Sequence, residues 1–600
     1  MKQSPYSRRM NRRQFLISGS AALAGFALAC GKSTDTNAAS KSAASPEVES
    51  AAVPSVAKPI VQATRPPLAP PKGAADLILT NGKVFTVDHN NTISQAVAIK
   101  DGLIQAVGKS GEIDQLAGEA TKVLDLGGRA VTPGMNDPHI HYRLIGLQTS
   151  YYTPFMPPEV TDIATMQKAL AKVIAKTKPG DWIIAYFLVM TDNMYPTKAD
   201  LDPVSPDNPV FIMHIGGHWG AANSAALKIA DVTASTKSPP GGMIAKDASG
   251  QPTGELYNHR AMDVVRRYAP PISDELMRQS ILDMQAKMAA CGVTNIQDNN
   301  VRSTADIKAY QDLTHSGQFY LRNNIFMTME WPQDLERITE VQYLKEGLTT
   351  FSGWKFLIDG QMPTAFCHEP HNGQAWNLST WEAKTFKKAV RTLHDTGMQI
   401  CVHCFGDAAV DLSLDAFEEA MNTNPRPDPR HRLEHVIITT PESTQRIKDL
   451  GVVVSTNPHF IYLAGDSYEP IFGAERTKRA MVTREWLENG IHMTIGSDAP
   501  TTPWYTPQTV IAGAMMRLTL SKKILNEEQC LTFEEALRAQ TIEAAYASHQ
   551  ENELGSLEPG KLADVTVWPG DPSGLSPAEL IKMDKMDLTL IGGKVVHGQI

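Results

Sequence analysis

His139 and His141 close the stretch Val131-Thr132-Pro133-Gly134-Met135-Asn136-Asp137-Pro138-His139-Ile140-His141-Tyr142. It opens as an apolar run with a Pro-Gly break and ends in His-X-His. On an extended strand, residues two apart share a face. Both imidazoles would therefore project from one strand end, and such a pair can form half of a zinc site. Alone, the pair also reads as two ordinary histidines on an exposed loop, because a short motif is only a hypothesis. The other half must come from elsewhere in the chain.

Four further polar residues stand in or at the ends of the expected strands. Lys355 lies in Trp354-Lys355-Phe356-Leu357-Ile358-Asp359-Gly360, where an unpaired buried ammonium is costly. His403 lies in Ile400-Cys401-Val402-His403-Cys404-Phe405. His435 ends Arg432-Leu433-Glu434-His435, and Asp498 follows Ile495-Gly496-Ser497. Each alone is unremarkable, since a strand histidine is more often a satisfied core residue. Together, four histidines, a lysine and an aspartate match two Zn²⁺ ions with open positions for water.

The elements that would carry these residues alternate strand and helix, the pattern of βα units. After the opening stretch, strands are expected at 292–298, 320–328, 354–359, 399–405, 432–438, 452–457 and 493–497. Helical patterns such as 382–396 and 408–422 lie between them. Eight such units close into a (β/α)8 TIM barrel of the α/β class, with its chemistry at the C-terminal strand ends. Residues 143–290 separate the first two strands. That is too long for a structureless loop, so an inserted subdomain is expected, with strands at 182–188 and 210–215.

Both ends of the folded chain read as β. Asn81-Gly82 and Asp101-Gly102 are hairpin turns between apolar runs, and 560–567 and 588–596 repeat the pattern. One small β-sandwich domain built from both termini is expected. The resulting organisation is 1–29 signal, 30–72 linker, 73–129 and 546–600 the two parts of the β-domain, and 130–545 the barrel with its 143–290 insertion.

The chain has 600 residues, 42% of them hydrophobic, and a net charge of −9. That acidity argues against nucleic acid, which needs a basic face. No apolar run is long enough to span a membrane in the mature chain. Asn11-Arg12-Arg13-Gln14-Phe15-Leu16 is a twin-arginine signature ahead of an apolar, small-residue run. Leu28-Ala29-Cys30 resembles a lipoprotein cleavage box, so lipidated Cys30 would be the membrane contact of an exported chain. Residues 31–72, rich in Ala, Ser, Thr and Pro, read as a tether. Five other cysteines without regular spacing do not form a disulfide framework. Cys401 and Cys404 read as buried thiols.

The Pro-Gly-X-X-Asp-X-His-X-His stretch, with Lys355, His403, His435 and Asp498, resembles the metal-dependent amidohydrolase superfamily. Gly217-His218, Asn223-Ser224-Ala225-Ala226-Leu227, Gly254-Glu255-Leu256, Gly406-Asp407 and Gly496-Ser497-Asp498 are closer to its YtcJ-like branch, amidohydrolase family 3. The likeness covers about residues 75–598. It implies that His139, His141 and Asp498 hold one metal and His403 and His435 a second, with Lys355 carboxylated as a bridge. It also implies hydrolysis of a C–N bond by metal-bound hydroxide. The substrate would be a small amide, N-acyl amine or N-formyl amine; deformylation of N-substituted formamides is one activity of the branch. Cyclic amides, carbamates and esters are alternatives, and so is a lipid-anchored binding protein without catalysis. Asp498 would act as base and then acid. His218 would donate to the oxyanion, grip substrate or only support its turn. His459, His368 and His371 are further pocket candidates. His89, His315, His394, His549 and His597 read as surface residues.

Overall fold

A computed structural model describes residues 66–600 apart from 156–158, 189–194, 341–343, 363, 373–376 and 378. The twin-arginine stretch, Cys30 and residues 31–65 of the expected tether lie outside the described residues.

Eight parallel strands make the central sheet: β1 (Met135–Ile140), β2 (Val293–Val301), β3 (Arg322–Met329), β4 (Thr349–Leu357), β5 (Gln399–Cys404), β6 (Arg432–His435), β7 (Val453–Thr456) and β8 (Met493–Ile495). Each pairs with the next in chain order. Past the strand ends, β8 returns to β1. Asp498 N–H donates to His139 O (2.7 Å), and His141 N–H donates to Ala499 O (2.8 Å). The sheet is a nearly closed, TIM-like barrel. A short strand, Leu344–Glu346, adds antiparallel to β4.

Helices cover the outside. Ala383–Asp395 and Asp407–Thr423 fall within a residue of the expected spans. The Glu382 carboxylate caps the first of these by accepting from Lys384 and Thr385 N–H. Its buried face carries Phe386, Val390 and Leu393. Burying side chains of this size contributes roughly 1.5–3 kcal/mol each.

The opening stretch is not one strand. Ala130–Pro133 joins another sheet, and the chain enters the barrel only at Met135. Gly134 makes this corner. A Cβ there would lie 2.3 Å from Thr294 Oγ1, so a larger residue would push β1 off β2.

Ala130–Pro133 sits in a six-stranded sheet with Lys83–Phe85, Ile93–Ser94, Val565–Val567, Leu588–Ile591 and Lys594–Gly598. A four-stranded sheet holds Leu77–Thr80, Ala96–Lys100, Leu103–Gly108 and Lys122–Asp125. Leu77, Leu79, Val97 and Ile99 of the latter share one apolar cluster with Val131, Val565, Val567 and Leu590 of the former.

Between β1 and β2 the chain forms a separate six-stranded sheet whose centre is Ile183–Leu188, Val210–His214, Trp219–Ala222 and Pro252–Tyr257. Alternation along Val210–His214 puts Phe211 and Met213 in one apolar cluster and Val210 and Ile212 in another. Among the described residues no helix is long and apolar enough to cross a membrane.

Candidate metal centre

His139, His141, Lys355, His403, His435 and Asp498 line one cavity at the C-terminal mouth of the barrel, and His218 lines it with them. His139 is the fifth residue of β1, Lys355 stands two before the end of β4, His403 one before the end of β5, and His435 ends β6. The strand ends thus bring the six together from five positions around the barrel.

Two of these residues need unusual backbone. His435 has φ 72° and Asp498 φ 49°, in the left-handed region. Non-glycine residues there carry strain that clusters at functional sites. In a regular strand, Glu434 and His435 would point to opposite faces. The turn at His435 lets both reach the centre. The His435 ring lies 4.7 Å from the His139 ring, and Glu434 Oε2 lies 2.5 Å from His139 Nδ1.

Outer partners fix the ring orientations. The Glu434 carboxylate only accepts, so His139 Nδ1 carries the hydrogen and Nε2 faces the cavity. His435 Nδ1 likewise pairs with Asn457 Oδ1 at 2.7 Å. The Asn457 amide donates to Gly496 O (2.8 Å), which leaves its oxygen to accept. Such partners commonly set the tautomer of a metal-bound imidazole.

What faces the cavity is then a set of ring nitrogens, a carboxylate oxygen and an amine. His139 Nε2 and His141 Nε2 lie 3.3 and 3.0 Å from the same Asp498 oxygen, Oδ1. His139 Nε2, Asp498 Oδ1, His403 Nε2 and Lys355 Nζ are buried without a hydrogen bond. The other Asp498 oxygen, Oδ2, accepts from Thr501 Oγ1 at 2.7 Å. Ligand atoms of His139, His435 and Asp498 lie within 4.8 Å of one another. Buried polar atoms are normally paired. These orphans, all N or O, suit a divalent cation.

Burial lowers the Lys355 amine, against the opposing pull of Glu434. His218 is pushed down to about 4 by burial, so it is neutral at pH 7 and can donate one hydrogen. Its ring stands 4.6 Å from the His403 ring.

The remaining sequence candidates lie elsewhere. His459 is buried, with Nε2 3.0 Å from Ser497 O, and supports the β8 end without lining the cavity. His368 is largely exposed and bonds Asp411 Oδ2 at 2.8 Å. It borders a different cavity beside Trp381. His371 packs on Phe472. Nearness to a strand end in sequence did not fix where these three side chains point. His394 and His549 are buried, correcting the surface expectation: the former bonds His431, and the latter tucks under the barrel near Arg430.

Sequence reasoning missed His259, which lines the cavity with its ring 5.5 Å from that of His218. It follows Gly254-Glu255-Leu256 closely, which was the available signal. Glu434 was missed too, although two opposite charges two places apart in one barrel strand, Arg432 and Glu434, are a signal in themselves. Cys291, Cys367, Cys401 and Cys404 are buried free thiols; Cys530 is free and half-buried.

A parallel barrel with buried histidines and an aspartate converging at its mouth is built as a metal-dependent hydrolase. The chain belongs to the amidohydrolase family, whose profile matches residues 122–597. That class acts on carbon–nitrogen bonds. The chain is 29% identical to N-substituted formamide deformylase of Arthrobacter pascens, over 84% of this chain and 95% of that protein. It is 28% identical to putative amidohydrolase YtcJ of Bacillus subtilis, over 86% and 98%. Among solved structures, an uncharacterised metal-dependent hydrolase of Pyrococcus horikoshii shares the fold, with TM-score 0.66, 22% identity, and 84% and 99% of the two chains covered.

Proposed function

We propose that this chain hydrolyses the C–N bond of a small amide, N-acyl amine or N-formyl amine, with two Zn²⁺ held per chain. The observation that carries this is the convergence of His139 Nε2 and His141 Nε2 on Asp498 Oδ1 at 3.3 and 3.0 Å, with His139 Nε2 and Asp498 Oδ1 buried and without a hydrogen bond. His139, His141 and Asp498 would hold one ion, and His403 and His435 the other. Lys355 would bridge them once its neutral amine has added CO₂ and released a proton, leaving an anionic carbamate. Bound zinc supplies Lewis acidity and lowers the pKa of water to about 7.

The chain's own groups do the rest. Asp498 takes a proton from the attacking water at a carboxylate oxygen and passes it to the departing amine. Thr501 steadies the other oxygen. Neutral His218 donates to the carbonyl oxygen as negative charge grows there. Similarity to a formamide deformylase supports a small acyl group. Cyclic amides, carbamates and esters would enter the same chemistry. A non-catalytic binding role is disfavoured by the complete ligand set, since a dead relative would be free to lose Lys355 or Asp498.

The test is a hydrolysis screen of N-formyl, N-acyl and cyclic amides on zinc-loaded protein, with elemental analysis. A metal content near zero, with activity surviving chelation, sinks the reading. We also propose twin-arginine export with lipid on Cys30. Mass spectrometry of the mature chain decides this, and a start at another residue rejects the anchor.

A further inference from the structure

Arg432 and Glu434 form an ion pair in the barrel interior with no exposed side-chain surface on either partner. The pair is bidentate. Arg432 Nε donates to Glu434 Oε1 at 2.8 Å and Nη2 donates to Oε2 at 3.1 Å. Arg432 also donates to Gln297 Oε1 (2.5 Å) and Pro138 O (2.8 Å), which ties β6 to β2 and β1. Glu434 Oε2 therefore accepts twice, from Arg432 Nη2 and from His139 Nδ1 at 2.5 Å.

This double duty makes a demand that only a carboxylate meets. Both Glu434 oxygens must accept: Oε1 from Arg432, and Oε2 from Arg432 and His139. A carboxamide at this position has one oxygen and one NH₂ group. If its oxygen faces Arg432 Nε, its NH₂ faces His139 Nδ1 and donates to it. The His139 hydrogen is then driven to Nε2, toward Asp498. If the oxygen faces His139, the NH₂ opposes Arg432 Nε–H, donor against donor. Neither orientation satisfies both neighbours.

We propose that Glu434 is a positioning residue: it holds the His139 hydrogen on Nδ1, so that Nε2 presents a lone pair to the metal position shared with Asp498 and His141. The inference rests on the metal reading above. Arg432 is the anchor that fixes Glu434 in place, through its four contacts on three strands. Losing an outer partner of a metal-bound histidine typically costs 10–100-fold in metal affinity.

The test compares zinc affinity, measured by competition with a chelating dye, across four proteins. Glu434→Gln is expected to bind one of its two ions about 10–100-fold more weakly. That variant leaves Arg432 buried and unpaired, so it can fail to fold. The second comparison avoids this. Arg432→Met/Glu434→Gln and Arg432→Met/Glu434→Leu both carry an uncharged pair of similar bulk. With Arg432 gone, the glutamine is free to turn its oxygen to His139 Nδ1–H, and the leucine has nothing to offer. The glutamine double variant should recover affinity to within a few-fold of wild type, with the leucine one about 10–100-fold weaker. A purely structural role predicts equal affinities for the two double variants, and that result overturns the proposal. Wild-type affinity in a folded Glu434→Gln overturns it as well. A wild-type chain that binds no zinc overturns both this inference and the metal reading, whereas equal double variants on a zinc-binding wild type overturn this inference alone.

Discussion

His139 Nε2 lies 3.3 Å from Asp498 Oδ1 across the seam where β8 returns to β1. The two residues are also joined through the backbone, since Asp498 N–H donates to His139 O at 2.7 Å. The seam that closes the barrel therefore sets the spacing of the two side chains. The close approach needs Gly496, where a Cβ would sit 2.9 Å from His139 N.

Asp498→Asn tests this spacing. The amide keeps the shape but loses the charge and the basic oxygen. It is expected to lose most of the metal at the His139–His141 position and to drop kcat by about 10²–10⁴-fold, the range of a general acid–base contribution. Elemental analysis with steady-state kinetics reads both. Retained turnover with full metal removes Asp498 from both roles.

Lys355 is 2% exposed, and its Nζ has no hydrogen bond. Lys355→Ala should lose at least one metal and most activity while still folding. Lys355→Arg should be equally inactive, because guanidinium stays charged and cannot form a carbamate. A short carboxylic acid added to Lys355→Ala should restore part of the turnover by filling the bridging position. Near-normal turnover and metal content in Lys355→Arg would show that the lysine only fills space.

The later part of the barrel was legible because β4, β5 and β8 are largely apolar runs with a polar residue near or just past the end, as Lys355, His403 and Asp498 show. The wall contributed by the insertion was not. His259 follows Asn258, whose φ of 65° starts a helix directly from the end of the Pro252–Tyr257 strand, and no periodicity announces where that junction points. Strand alternation alone would put Glu434 and His435 on opposite faces; a left-handed φ at His435 overrules it locally. His394 reads as the polar edge of an amphipathic helix, but it is turned inward by a partner, His431, that is distant in sequence. Pairings of this kind belong to tertiary structure and leave no local pattern.

His218 is carried by the insertion on a turn where Gly217 has φ 72°. Its O accepts from Asn258 N–H at 2.7 Å, which ties the turn to the helix bearing His259. His218→Ala should lower kcat by about 10²-fold, as the loss of one oxyanion donor does. Metal content should not change, since the ring is outside the proposed ligand set. Loss of metal together with rate would make His218 a ligand or a support for His403.

The last prediction concerns acid stability, and it involves a cluster at the N-terminal end of the barrel. Ile400 N–H donates to His431 Nδ1 at 3.2 Å, so the hydrogen of His431 is on Nε2. It is donated to His394 Nδ1 at 2.8 Å, and His394 Nε2–H in turn meets Asn424 O at 2.8 Å. Every ring nitrogen is used by the neutral forms, and an added proton would set donor against donor. Burial holds His431 well below its ordinary value of 6.5, lowers His394, and pushes nearby His549 down to about 4. The unfolded chain takes up protons at these rings from about pH 6.5 downward, and the folded chain does not until lower pH. The unfolded state then binds more protons, so stability rises with pH across this window and is lost as pH falls from about 6.5 toward 4. His394→Gln can keep both bonds, with its oxygen facing His431 and its NH₂ facing Asn424, but it cannot titrate. Thermal unfolding of metal-stripped protein between pH 7.5 and 4.5 should show a shallower acid loss for His394→Gln than for wild type. Parallel curves would show that the cluster does not contribute.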